Sequence, residues 1–425
     1  MTVEQAPAIR RASTSRLGGI GSDFLWLICG QAASTLGDAF GLIAVAWLVY
    51  DLTGSLVALG TSILIAKVPE IGLRLLGGPM TDRIDRRLFL VGLDAVRAVA
   101  FASLGLAGAL GALGLGHIFL AQFVIGAAGA LYQPTLQALL PRLVVTSQLV
   151  RANAILSGVW QGTNVVGPAL AGLLVATAGS FPALVVDAAT FGLSAAALLK
   201  LPVATGVIRS AASGSYAHQL RAGFRFFAHV PALLILMIVL SISNIGSVAI
   251  LDLLVPFVRD ELRGDAFVVG LLQASVAVGF AVGMTAMIVR GDSRSRRPLL
   301  LGGLAVIGCA GAGLALVRPE LFGVGMVLCG LVGLGQAVFI ANSSAIYQQV
   351  VPDRLRGRVM AGRYLLAQWG NPLGPMIGAL VAQEIGLRAM FVLAGVLPAA
   401  LALLAFLLPA LRALDGDLAP IEMAE

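Results

Sequence analysis

Charge is scarce in this chain: Asp, Glu, Lys and Arg make up 12% of its 425 residues, while 59% are apolar. An ordinary soluble domain is roughly one-quarter charged, so the composition excludes a water-soluble globule. Histidine is nearly missing too. His117, His218 and His229 are the three present, and no two stand four apart, which excludes the helical zinc pair of a metalloprotease. Cys29, Cys309 and Cys329 lie far apart inside apolar stretches, so they read as small packing residues, not as a disulfide or metal set. Lys67 follows Ala66 and Lys200 follows Leu199, so the Gly-Lys step of a phosphate-binding loop is absent. No serine sits in a G-x-S-x-G turn. The expectation is a protein that is not an enzyme and uses neither metal nor cofactor.

What is present is apolar length. Twelve runs are long enough to span a bilayer as helices, at 23–50, 56–77, 88–111, 117–140, 152–177, 182–201, 231–257, 267–290, 298–317, 321–346, 359–382 and 388–411. This predicts an all-α integral membrane protein with an even number of crossings and both termini on one side. Of the 28 Lys and Arg residues, 21 fall on the side of the termini. The other side has only Arg259, Arg263, Arg318 and Arg388, and Lys67, Arg74 and Arg97 lie within spans. Positive charge is retained in the cytoplasm, so the bias predicts cytoplasmic termini in a cell membrane. The net charge of +7 is then met by anionic lipid, and no nucleic-acid partner is expected.

Between spans 6 and 7 the chain turns rich in Gly, Ser and Ala without periodicity, which marks a linker. The predicted organisation is a tail at 1–22, a six-helix bundle at 23–201, a linker at 202–230, a second six-helix bundle at 231–411 and a tail at 412–425. In the linker, Leu220, Phe224 and Phe227 share one helical face, as in a short helix lying on the membrane surface. The bundles repeat weakly. Pro141-Arg142 corresponds to Pro352-Asp353-Arg354, and Gly167-Pro168 to Gly374-Pro375, at nearly equal offsets.

Ionisable residues inside spans are functional candidates by default, because each costs roughly 2.5–3.5 kcal/mol at mid-membrane. In span 1, Gln31, Ser34, Thr35 and Asp38 form one polar helix face. Span 2 carries Lys67, Glu70 and Arg74, with Glu70 and Arg74 spaced for a bridge and Lys67 left as a partner for Asp38 or an anionic substrate. Asp94 and Arg97, one turn apart in span 3, are expected to form a local ion pair tied to the neighbouring loop charges. Asp38, Lys67 and Glu70 are therefore the proton-coupling candidates.

The loop between spans 2 and 3 reads G-P-M-T-D-R-I-D-R-R, with Pro79 expected to stop the helix near Gly77. Its Gly78, Asp82, Arg83, Arg86 and Arg87 resemble the loop 2-3 signature of the major facilitator superfamily, with Asp85 where that signature has glycine. An aspartate can take the left-handed conformation of a turn glycine, at a cost. The run Gly158, Gly162, Gly167-Pro168, Gly172 resembles the antiporter motif of exporters, and segments near 132–153 and 351–358 are similar to twelve-span drug/proton antiporters, including macrolide pumps and enterobactin-type siderophore exporters.

The resemblance implies two pseudo-symmetric six-helix bundles around a cavity lined by spans 1, 4, 7 and 10, which nominates Gln31, Gln133, Gln137, Asn244 and Asn342 beside Asp38. It also implies a monomer that expels small amphipathic molecules in exchange for protons, and a latch in which Asp82 meets the start of span 11 near Arg358. An importer, a lysophospholipid flippase or a non-transporting sensor are the alternative readings.

Overall fold

A computed structural model describes residues 21–81, 85–202, 225, 227, 229–291, 296–352, 355, 359, 360, 362, 363 and 369–414. Among these, the long helices in chain order are α1 (Ser22–Thr53), α2 (Leu56–Thr81), α3 (Arg86–Ala109), α4 (Leu115–Leu143), α5 (Leu149–Ala178), α6 (Ser180–Leu199), α7 (Pro231–Asp252), α8 (Ala266–Arg290), α9 (Arg296–Leu314), α10 (Phe322–Val350), α11 (Gly370–Ile385) and α12 (Leu387–Leu407). Ten are long and apolar enough to cross a membrane. The other two are α2, which carries Lys67, Glu70 and Arg74, and α11, of which 16 residues are described.

Two expectations about the loop between α2 and α3 are corrected. The α2 helix runs through Pro79 to Thr81, past the stop expected near Gly77. Proline is tolerated in a bilayer helix because neighbouring groups re-satisfy the carbonyl it frees. Asp85 has no need of a left-handed backbone. At φ −61° it caps α3, its carboxylate accepting hydrogen bonds from the backbone N–H of Arg87 at 2.9 Å and of Leu88 at 3.3 Å. A capping aspartate serves the turn by pairing orphan helix donors. The linker reading also changes in part, since Phe227 is buried against Tyr347 with ring centroids 6.1 Å apart.

The packing has a two-fold pattern. In the first half α1 packs on α5 and α6, α3 on α4 and α6, and α2 on α4. In the second, α7 packs on α11 and α12, α9 on α10 and α12, and α8 on α10. Each pair recurs six helices later. Across the halves, α5 meets α8 and α2 meets α11, again a related pair. Gly179 at φ 90° separates α5 from α6, and Gly386 at φ 87° separates α11 from α12, both positions where only glycine is unstrained.

Three apolar clusters show how the halves stand. At the face away from the termini one cluster holds residues of both, from Phe40, Val49 and Phe101 to Leu253, Phe257 and Phe391. At the face bearing most of the arginines, the basic face, the cores are separate. Phe24, Leu90 and Leu139 belong to one, and Leu233, Leu304 and Tyr347 to the other. The halves are thus joined at one face and parted at the basic one.

The glycines of α5 follow that geometry. A Cβ at Gly172 would lie 2.4 Å from the carbonyl of Ala266 on α8, and one at Gly167 2.9 Å from Ala39 on α1, whereas Gly158 and Gly162, nearer the basic face, meet nothing within 4 Å. Without a hydrophobic drive in lipid, such backbone approach is what holds helices together.

Candidate functional site

Between the parted halves lies a cavity of about 460 Å³. Asp38, the midpoint of α1, faces into it with its side chain 53% exposed. Opposite stand Lys67 and Glu70 of α2, and the second half contributes Asp252 from the end of α7 and Gln273 from α8. Phe101, Tyr132 and Trp160 supply aromatic wall.

Arg97 organises the charges. Buried at the middle of α3, its Nη2 donates to Asp94 at 2.7 Å and its Nη1 lies 3.8 Å from Asp38. The guanidinium is clamped between rings, 4.4 Å from the centroids of both Tyr132 and Phe191. Gln31 donates to the Tyr132 hydroxyl at 2.6 Å, and that hydroxyl reaches Asp94 at 3.5 Å. A chain of polar groups therefore runs from the cavity wall to a buried ion pair. Such networks are costly unless their members are paired, and here one guanidinium serves two carboxylates.

Sequence-nominated residues are divided by this geometry. Gln31, Asp38, Lys67, Glu70 and Gln133 share the cavity. Gln137, Asn244 and Asn342 lie outside its lining. Asn244 bonds Asn371 of α11 at 3.3 Å, and Asn342 bonds the carbonyl of Val338 at 2.8 Å within α10. Asn244 and Asn342 are thus engaged within the second half, while Gln137 lies on α4 toward its C-terminal end, one turn beyond the cavity-lining Gln133. Lys67 makes no ion pair with Asp38 among the described residues; Arg97 takes that place. The Asp94–Arg97 pair forms as expected but points to Asp38, not to the loop. Asp82, Arg83 and Arg358 lie outside the described residues, as do the side chains of Arg74 and Gly78's neighbours.

Arg87 caps α6, donating to the carbonyl of its last residue, Leu199, at 2.7 Å, and Arg86 donates to the Ala138 carbonyl of α4 at 2.9 Å. Gly167, Pro168 and Gly172 form the tight end of the α5 contact, where the Pro168 carbonyl would lie 2.2 Å from a Cβ on Gly270. At the closed face α1 meets the segment after α7. The Tyr50 hydroxyl donates to Asp260, and Arg259 lies 2.8 Å from Asp51.

Sequence reasoning passed over Asp187 in α6 and Asp252 in α7. The signal was available, since Asp187 is the one ionisable residue of its span apart from Lys200 at the very end.

The family described as transmembrane secretion effector, of the major facilitator superfamily, matches residues 21–424. Macrolide efflux protein A of Streptococcus pyogenes is 22% identical over 394 residues, covering 92% of this chain and 97% of that protein. The multidrug efflux pump Tap of Mycolicibacterium fortuitum is 27% identical over 400 residues, with 92% and 97% covered. Among solved structures, a variant of the nucleoside transporter NupG superposes with a TM-score of 0.75 at 14% identity, covering 91% of this chain and 99% of that one. A bacterial homologue of the human lysosomal transporter Spinster, in an inward-facing and unoccupied conformation, gives 0.71 at 15% identity, with 92% and 96% covered. These likenesses are to the fold.

Proposed function

Because the chain belongs to the transmembrane secretion effector family of the major facilitator superfamily, and is a multi-pass membrane transporter and not an enzyme, we propose that it exports small amphipathic compounds across the cell membrane in exchange for protons. The observation carrying this reading is the cavity between halves that part at the basic face. Placing that face in the cytoplasm, as 21 of 28 basic residues favour, makes the conformation inward-open. Aromatic wall beside Asp38, Glu70 and Asp252 suits apolar bodies with a polar or cationic group. The names of the relatives, macrolide and multidrug efflux proteins, point to drugs, and siderophores are a further candidate class.

Coupling follows from the shared guanidinium. With Asp38 ionised, Arg97 is divided between Asp38 and Asp94; once Asp38 is protonated, or engaged by a cationic substrate, Arg97 belongs to Asp94 alone. Proton and substrate then compete for one carboxylate, and α1 moves with it. Rocking occurs about the α2–α11 and α5–α8 contacts, with the Tyr50–Asp260 clasp opening as the basic face closes. One proton crossing about 150 mV supplies roughly 3.5 kcal/mol, enough for a gradient of about 300-fold.

The test is uptake into inverted vesicles under an imposed pH difference, with a panel of macrolides, dyes, siderophores and lysolipids. Accumulation that collapses with the pH difference is expected; none for any compound overturns the reading. Lys67 favours one alternative. It lines the cavity without an ion pair among the described residues, as a site for a lysophospholipid headgroup would require, and the lysolipid arm tests this.

A further inference from the structure

Asp187 is fully buried in the joint between α6 and α1. Its carboxylate lies against bare α1 backbone: a Cβ at Gly37 would come 2.4 Å from Oδ1, and one at Gly41 2.3 Å from Oδ2. Thr190 donates to Oδ1 at 3.4 Å, and Oδ2 has no hydrogen-bond partner among the described residues.

The charged groups around it come from each packed helix. On α1 there is Asp38, one residue from Gly37 and on the cavity side; on α3 there are Asp94 and Arg97; on α5 the sole ionisable residue is Arg151, near the basic face. Arg97 is already held by Asp94 at 2.7 Å and Asp38 at 3.8 Å, and no ion pair to Asp187 forms among the described residues. Lys67 stands across the cavity toward Asp38, so Arg97 is the cation nearest Asp187, and it is already shared by two other carboxylates. A fully buried ionised carboxylate without a cation is heavily penalised and takes up a proton instead.

The second half shows that packing does not require an acid here. Gly386 follows Gly179 by 207 residues, and the same step from Asp187 reaches Ala394 on α12. Ala394 sits in the related joint, its carbonyl 2.4 Å from a Cβ placed on Gly246 of α7. The second half carries an alanine at the position where the first half carries a carboxyl.

We propose that Asp187 is a second proton site of the transporter, carrying its proton in the conformation seen here and exchanging it with cavity water on the Asp38 side of α1. The proposal deepens the proton-coupled reading and rests on it for the role in transport. The step is protonation of one carboxylate oxygen by a proton from water and its return to water, with no other bond changed.

The experiment pairs infrared spectra of the purified full chain in liposomes with driven uptake in inverted vesicles. At neutral pH, Asp187→Asn is expected to lose a protonated-carboxyl C=O band that Asp38→Asn retains. It should also keep substrate counterflow while the driven gradient falls from about 300-fold towards unity. An unchanged band, or full driven uptake by Asp187→Asn, overturns the proposal. So does failure of Asp187→Asn to accumulate folded, because the amide is the neutral isostere of the protonated acid. A wild type that drives nothing under a pH difference, yet loses the band in Asp187→Asn, overturns the proton-coupled reading while leaving the buried proton in place.

Discussion

The half built from α1–α6 and the half built from α7–α12 use arginine alike at the basic face and differently inside. Arg86 bonds α4 at Ala138 and Arg87 bonds the end of α6 at Leu199; Arg296 bonds α10 at Gln349 and Arg297 bonds the end of α12 at Phe406. Each arginine recurs 210 residues later on the related helix and reaches the related neighbour, Arg87 and Arg297 through a backbone carbonyl alike, Arg86 through a carbonyl where Arg296 uses the Gln349 side chain. Carrying that step into the interior, however, takes Asp94 to Leu304 and Arg97 to Ile307, both buried and apolar. At these two positions the second half does without charge, although elsewhere it holds Arg363, bonded to Ser343 at 2.9 Å and 4.4 Å from the ring centroid of Tyr347. The fold therefore does not demand an ion pair at this place, and the role proposed for Asp94 and Arg97 is coupling.

The sharpest way to break this comparison is to give the first half the second half's interior. Arg97→Met alone leaves Asp94 buried without its cation and is expected to cost about 3–5 kcal/mol, read as a large fall in melting temperature. The pair Asp94→Leu with Arg97→Ile replaces the ion pair by apolar side chains and is expected to recover that stability, since such replacements are often neutral or favourable. Driven export should nevertheless be lost. If the double variant pumps like wild type, the interior charges are not the coupling machinery.

Next in size is Asp38→Asn. It removes the carboxylate that shares Arg97 and faces the cavity, while keeping its shape. Uphill, pH-driven uptake in inverted vesicles should disappear, a loss of up to roughly 3.5 kcal/mol of driving force per proton, with downhill exchange retained. Uphill uptake persisting in this variant would assign the proton elsewhere.

A smaller effect tests the likeness of the two halves. Arg87→Ala and Arg297→Ala each remove a donor from a helix C-terminus, and each should lower stability by about 1 kcal/mol. Equal losses by thermal melting would support the symmetry; a loss confined to Arg87→Ala would mean that the loop between α2 and α3 has a role that its counterpart lacks.

How much was legible in the sequence follows from these same residues. Span positions could be read because apolar length is a one-dimensional property, and the symmetry because Gly167-Pro168 and Gly374-Pro375 mark equivalent bends. Asp38, Lys67 and Glu70 could be picked out because an ion in an apolar run is conspicuous. Partnership could not be read: whether Lys67 or Arg97 sits beside Asp38 depends on how α1, α2 and α3 rotate about their axes, which many small contacts decide. Asn244 and Asn342 show the same limit. Each lies on a helix that borders the cavity in the family's scheme, yet each finds a bonding partner in its own half. Asp85 shows that a departure from a motif can be a substitution of mechanism, with a capping carboxylate replacing a turn glycine.

The smallest expected effect concerns the closed face, where the halves meet through exposed charge as well as apolar contact. Arg259 and Asp51 are 37% and 56% exposed in their side chains, and Arg388 pairs with Glu261 at 2.6 Å within the second half. An exposed ion pair contributes only about 0.2–1 kcal/mol, so the Arg259–Asp51 contact can break in every cycle. Asp51→Asn should therefore leave folding unchanged and shift the balance by less than about five-fold toward the state open at this face. A cysteine introduced at Gly158, where the structure leaves open space at the basic end of α5, reports that balance through its alkylation rate. Slower alkylation in the Asp51→Asn background is expected. An unchanged rate would place the hold on this face in the apolar cluster around Val49, Phe257 and Phe391, and leave the charged contact with no part in gating.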